Sequence, residues 1–185
     1  MLVALAAVAV AGVAVFGPMI ERAVREVTLP LRHEDIIRQQ SDEKDLDPAL
    51  VAAVIYAESK FRDRTSATGA KGLMQIQPAT ARFIAQRTGG TRFEVDDLGS
   101  PQINIQYGTW YLRYLLRQHH GNVVLAVASY NAGETNVARW VQRARGRDQE
   151  FRIADIPFPE TRAYVQRVLE AEGKYRREYG SELGL

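Results

Sequence analysis

The clearest pattern in the chain is a dense apolar stretch that opens at Asp47-Pro48 and runs through AVIYAESKF at residues 53–61. An aspartate cap followed by a proline at the first helical position predicts a helix start, because proline has no N–H to leave unpaired. Turning the next residues by ~100° each sets Leu50, Val51, Val54 and Ile55 on one arc. Glu58 falls in the middle of that arc, away from the side on which Tyr56 and Lys60 point. A carboxylate on an apolar face is costly unless it is paired or serves through a perturbed acidity. Arg62, four residues on, offers an ordinary helical ion pair as one explanation. The rest of the chain has to decide.

Further helices follow by the same signs. A short one is predicted around His33–Lys44. Pro78 opens one that ends near Gly89-Gly90, and Ser100-Pro101 opens a long one through Tyr107, Trp110, Tyr111 and Tyr114 to His119. Others are expected over roughly Val123–Tyr130, Glu134–Arg145 and Glu160–Tyr179. The Thr-, Ser- and Gly-rich stretch Asp63–Gly72 reads as a loop, and the irregular Thr91–Gly99 as a place for a small β-turn or hairpin. There are no internal repeats. The pattern predicts a mainly α chain, with a compact helical domain over residues 44–180.

Residues 2–20 carry no charge and are long enough to span a bilayer. They are expected to form a hydrophobic helix acting as a transmembrane anchor, or a signal segment, over residues 1–20. Residues 21–43 then read as a juxtamembrane linker running into the short helix. Arg22 and Arg25 are balanced by Glu21 and Glu26, so charge does not set an orientation.

The chain has 185 residues, a net charge of +2 and 25% charged residues, which fits a folded domain with an appendage, not a disordered polyelectrolyte or a nucleic-acid binder. With no cysteine, disulfides, thiolate chemistry and cysteine-ligated zinc are excluded. The three histidines are His33, His119 and His120, and none has HExxH spacing. His119 and His120 stand before Gly121 and read as a cationic helix end, so no metal site is expected. Arg139, Arg143, Arg145, Arg147 and Arg152 read as a solvated, partly paired face, with attachment to an anionic polymer as the rival reading.

Three further segments carry unusual residue choices. In SATGAKGLMQIQP, residues 66–78, glycines permit close backbone approach and Gln75 offers an amide, although a tight turn plugging Leu73 and Met74 into the core would look the same. In SYNAGETN, residues 129–136, a helix ends in Asn-Ala-Gly. In IPFPETRAYVQRV, residues 156–168, Glu160 opens a helix and Tyr164 lies on its buried side.

Taken in order, Glu58-Ser59, SxxGAxGLMQ at Ser66–Gln75, YNAG at Tyr130–Gly133 and IPFxETRxYV at Ile156–Val165 resemble the soluble lytic transglycosylase family, which is related in fold to goose-type lysozyme. The resemblance implies an α+β lysozyme-like, mainly α domain with a cleft. It implies that Glu58 is the single catalytic acid and base, and that Ser66, Met74 and Gln75 line the sugar groove. Tyr130 and Asn131 would approach the catalytic carboxyl and an N-acetyl group, while Glu160 and Tyr164 would support the far wall. Ser129 departs from the pattern, where alanine is common.

The implied reaction is cleavage of the β-1,4 bond between N-acetylmuramic acid and N-acetylglucosamine in peptidoglycan strands, without water and without a cofactor, leaving 1,6-anhydromuramoyl ends. No Asp or Glu occurs between Arg64 and Glu94. A lone protonated carboxyl suits a substrate-assisted route, in which the 2-acetamido oxygen attacks its own anomeric carbon. A lysozyme-like hydrolase would need a second acid, for which Glu94, Asp96 and Asp97 are the candidates. A wall-binding scaffold without turnover is the remaining alternative. The expected location is the cell envelope outside the cytoplasm, with the glycan strand and the membrane as partners.

Overall fold

A computed structural model describes residues 17, 19–20, 22–146 and 151–185. The chain divides into two units, Met1–Arg32 and His33–Leu185. In the first, residues 22–28 are helical, and Met19, Ile20, Val24 and Val27 are exposed. Most of the expected anchor at residues 1–20 lies outside the described residues. Among the described residues, no helix is long and apolar enough to cross a membrane.

The second unit is helical. Its elements are α1 (Glu34–Lys44), α2 (Pro48–Ser59), α3 (Pro78–Thr88), a 3-10 turn (Val95–Gly99), α4 (Pro101–Gln118), α5 (Val123–Ala132), α6 (Glu134–Arg145), a second 3-10 turn (Ile153–Asp155), α7 (Pro159–Glu178) and α8 (Gly180–Leu183). Four of the longer helices carry proline in their first turn, where its missing N–H costs nothing. The Asp47 cap is present: its Oδ1 accepts from the Ala49 N–H at 2.9 Å. Helix α1 belongs to this unit and not to a linker, since Ile37, Gln40 and Ser41 are buried and Arg113 of α4 donates to the Asp45 carbonyl at 3.0 Å.

One expectation about α2 is overturned. The arc of Leu50, Val51, Val54 and Ile55 is not a single buried stripe, because every residue from Ala49 to Ile55 is buried. Alanines at 49, 52 and 53 let neighbours approach the backbone on the sides the arc left open, so α2 runs through the core instead of lying on it. Its most extensive partner is α7.

The small β contacts also fall elsewhere than expected. Thr91–Gly99 forms a turn and the first 3-10 helix, whereas isolated bridges join Thr65 to Lys71 and Lys71 to Ile76. The loop carrying these bridges is held by Asn104 of α4, which is fully buried. Its Oδ1 accepts from the Met74 N–H at 2.8 Å, and its Nδ2 donates to the carbonyls of Lys71 at 2.9 Å and Leu98 at 3.0 Å. Gly72, at φ 77°, is required there, because a Cβ would collide with the Asn104 amide.

Replacing Asn104 with Leu removes three hydrogen bonds and leaves the Met74 N–H and the Leu98 carbonyl without that partner, while the Lys71 carbonyl keeps the Ile76 N–H, and destabilisation by roughly 3 kcal/mol is expected. A melting curve should show a fall of roughly 6–12 °C for a unit of this size. An unchanged midpoint would mean the loop is held by something else.

Candidate active site

Glu58 sits in the last turn of α2, with part of the residue still reaching solvent. Helix α7 runs beside it and brings Tyr164, whose hydroxyl donates to Glu58 Oε1 at 2.7 Å. Burial pushes the Glu58 carboxyl up to about 7 from 4.5, because a charged carboxylate there is poorly solvated. The Tyr164 hydrogen bond and the more distant Arg64 and Arg167 guanidinium groups pull the other way and offset only part of it. No carboxylate is among the groups acting on Glu58. The expected ion pair with Arg62 does not form: among the described residues Glu58 makes no ion pair, and it is Arg64 that reaches back, donating to the Glu58 backbone carbonyl at 2.8 Å.

Tyr130, near the end of α5, completes the group. Its hydroxyl donates to the Met74 carbonyl at 3.0 Å. Burial, and next the nearby negative charge of Glu58, hold both Tyr130 and Tyr164 well above the ordinary phenol range, so both remain neutral donors. The Tyr164 ring carries Arg167 with its guanidinium carbon 6.0 Å from the ring centre.

The other sequence-predicted residues divide. Met74 does not line a groove with its side chain: the residue is fully buried, its sulfur packed against Gly108, where a Cβ would lie 2.8 Å from the Met74 Cβ. What it contributes is the carbonyl that holds Tyr130. Gln75, in a left-handed conformation at φ 47°, donates its amide to the carbonyls of Arg64 at 2.9 Å and Gly72 at 2.8 Å. Among the described residues, no hydrogen bond is made by its side-chain oxygen. Ser66 closes the turn before it, accepting from the Ala70 N–H at 3.0 Å and sharing a hydrogen bond of 3.0 Å with Thr68. Gln77 donates to the same Thr68 hydroxyl at 3.3 Å. Asn131 is exposed, with its Oδ1 held by the buried Thr161 hydroxyl at 2.8 Å. Glu160 is exposed in the first turn of α7 and, among the described residues, has no hydrogen bond or ion pair.

Sequence reasoning passed over Thr161 and Asn104. Thr161 had a signal, since it lies three residues before Tyr164 and so on the same side of a helix. Asn104 had none, because its partners are up to 33 positions away.

Ser129 makes its own contact. It is fully buried, and its hydroxyl bonds His119 Nε2 at 2.7 Å, tying the end of α4 to α5 one residue before Tyr130. Burial, with His120 next, lowers the His119 pKa, so His119 is not the cation of the helix end; Arg117 occupies the last turn. The candidate second acids are engaged elsewhere: Asp96 pairs with Lys71, and Asp97 accepts from the Glu94 N–H at 2.9 Å. Of the arginine face, Arg139 donates to Asn136, Arg152 pairs with Asp155 at 3.8 Å, and Arg147 lies outside the described residues.

The chain and its fold match known proteins. The family model of the Transglycosylase SLT domain matches residues 35–153. The chain is 34% identical over 168 residues to the soluble lytic murein transglycosylase of Salmonella typhimurium, covering 86% of this chain and 25% of that protein. An inactive mutant of the lytic transglycosylase Slt from Pseudomonas aeruginosa superposes with a TM-score of 0.76 at 32% identity, covering 85% of this chain and 26% of that one. The 70-kDa soluble lytic transglycosylase of Escherichia coli gives the same TM-score and identity over 82% of this chain and 25% of that one. The chain thus spans about a quarter of the length of these relatives. Its helical unit, with Glu58, Tyr130 and Tyr164 drawn together inside it, belongs to the Transglycosylase SLT domain family.

Proposed function

We propose that this chain cleaves the glycan strand of peptidoglycan between N-acetylmuramic acid and N-acetylglucosamine, without water, leaving 1,6-anhydromuramoyl ends. The observation that carries the reading is the state of Glu58: one carboxyl, protonated up to about pH 7, held by a neutral phenol, with no other carboxylate acting on it. Such a group donates its proton to the leaving oxygen. The ionised carboxylate then takes the proton of the muramoyl 6-hydroxyl as that oxygen closes on the anomeric carbon, and the acid is regenerated. In between, the substrate's own acetamido oxygen supplies the nucleophile that a second carboxylate supplies in most glycosidases.

Around this centre, the open side-chain oxygen of Gln75 and the amide nitrogen of Asn131 are the groups proposed to hold the saccharide. Ser66 shapes the adjoining turn, and Tyr130 and Tyr164 are positioning residues as well as walls. For exposed Glu160 we propose only a supporting role at the rim. The substrate places the domain outside the cytoplasm, with residues 1–20 as its anchor or export segment and residues 44–180 as the catalytic core. Relatives named membrane-bound lytic murein transglycosylase C and F agree with an envelope location.

Digestion of purified cell wall should release anhydro-ended fragments, about 18 Da lighter than the reducing products of hydrolysis. Heavier reducing products would assign a lysozyme-like hydrolase instead, and binding without any cleavage would assign a scaffold.

Glu58→Gln should lower turnover by roughly 10²–10⁴-fold or more. The same variant should gain stability relative to wild type as pH rises. The folded carboxyl keeps its proton to about 7 while the unfolded one ionises near 4.5, so wild-type stability declines across that window and is flat above it. The variant escapes this penalty, on the order of 3 kcal/mol by pH 8. Melting curves that differ equally at pH 4 and pH 8 would contradict it.

Tyr164→Phe removes a bond that favours the charged carboxylate, so the alkaline limb of the pH–rate profile should move to higher pH. A downward move would show that Tyr164 serves another purpose.

A further inference from the structure

Along the buried stretch of α5, Ala126 to Ser129, one residue is polar. Ser129 is fully enclosed, at a position where the resembling family commonly has alanine. A hydroxyl there adds little to packing that alanine would not supply, and it has to find a partner. That partner is His119 Nε2, at 2.7 Å. The imidazole is neutral at pH 7, because burial, and next His120, lower its pKa. Apolar side chains tolerate small slides and rotations of one helix on another, whereas a hydrogen bond accepts a narrow range of distance and angle.

The histidine is carried on a fixed corner. It closes α4, its N–H donating to the Leu115 carbonyl at 3.0 Å. His120 and Gly121 then turn the chain in left-handed conformations, at φ 51° and 82°. Asn122 starts α5, its Oδ1 accepting from the Leu125 N–H at 3.0 Å.

Tyr130, the phenol beside Glu58, follows Ser129 directly. Three restraints converge on it, and each comes from α4. Asn104 holds the Met74 N–H, and the Met74 carbonyl takes the Tyr130 hydroxyl. Tyr111 meets the Tyr130 ring at 5.5 Å between centres. His119 holds the residue behind it. These three α4 residues stand seven and eight positions apart, about two turns each, so a single helix sets the tip, the ring and the backbone of Tyr130. Without the third restraint, the ring can swing about the other two.

We propose that His119 and Ser129 are a positioning pair for the reaction proposed above: their bond fixes the rotation of α5 at Tyr130, and with it the phenol bordering Glu58, while neither residue touches the substrate. The pair rests on that reaction only for its effect on turnover.

Kinetics on soluble N-acetylglucosamine–N-acetylmuramic acid strands, followed by release of anhydro ends, test it. Ser129→Ala and His119→Ala should each lower kcat about three- to tenfold and leave KM unchanged, since a misplaced phenol is felt in the transition state. The double variant should lose no more than either single one. His119→Gln, whose amide nitrogen can stand where Nε2 stands, should regain most of kcat. Unchanged kcat with only a lower melting midpoint, a rise in KM alone, losses that multiply in the double variant, or His119→Gln no better than His119→Ala would overturn the pair. If circular dichroism shows that Ser129→Ala does not fold, the two His119 variants decide. Independently of turnover, NMR of ring-labelled tyrosine should show the Tyr130 signal, assigned by its loss in Tyr130→Phe, shifted in Ser129→Ala and in His119→Ala. A stationary signal would overturn the pair. Wild-type protein that leaves strands uncut, or hydrolyses them, would overturn the reaction instead, with the Tyr130 signal still deciding the pair.

Discussion

The structure depends on the price of burying one carboxyl group. Glu58 is carried in the last turn of a helix that is buried on every side from Ala49 to Ile55, so most of its side chain is withdrawn from water although part of the residue reaches solvent. The group responds as a buried acid does, by keeping its proton. A single neutral phenol hydroxyl fixes where that proton-bearing group sits. Tyr130 is fixed in turn by a backbone carbonyl, and that carbonyl belongs to a loop clamped by Asn104. The Tyr130 phenol is thus held by groups in the core, with Met74 and Asn104 fully buried, and rigidity of this kind is what acid catalysis requires.

Much of this arrangement could be read from the chain. Prolines at 48, 78, 101 and 159 announce four helix starts, and the cap at Asp47 forms as its sequence demands. Glu58 could be singled out because a charge in an apolar pattern is a local anomaly. Its partner could not be found by the same logic, since Tyr164 is 106 positions away and nothing in the spacing of either helix reports their meeting. The resemblance of the motifs set Tyr130 and Asn131 beside the carboxyl and kept Tyr164 on the far wall, whereas Tyr164 bonds Glu58 and the Tyr130 hydroxyl goes to the Met74 carbonyl. It also set Met74 along the groove, although that side chain turns inward because Gly108 leaves room for its sulfur.

Two errors of local reading share a cause. The arc drawn on α2 treated alanine as neutral, yet alanine is what allows a helix to be enclosed on every side. The β contacts were sought in the acidic, irregular stretch after α3, and arise instead where Gly69 and Gly72 adopt left-handed conformations that let the loop fold back on itself. In both places the decisive factor was how closely another piece of backbone could come. That is a property of the assembled fold.

The position of Glu58 in the final turn of its helix has a consequence of its own. Peptide dipoles along α2 sum to a partial negative charge at that end, which opposes an ionised carboxylate in the same turn. Arg64 places a positive group on the terminal carbonyl of Glu58 itself, so that field is partly cancelled at its source. The Arg64 charge also acts on the carboxyl itself and, after the Tyr164 hydrogen bond, offsets part of the effect of burial. Substitution at position 64 would retune the acid and leave its contact with Tyr164 in place.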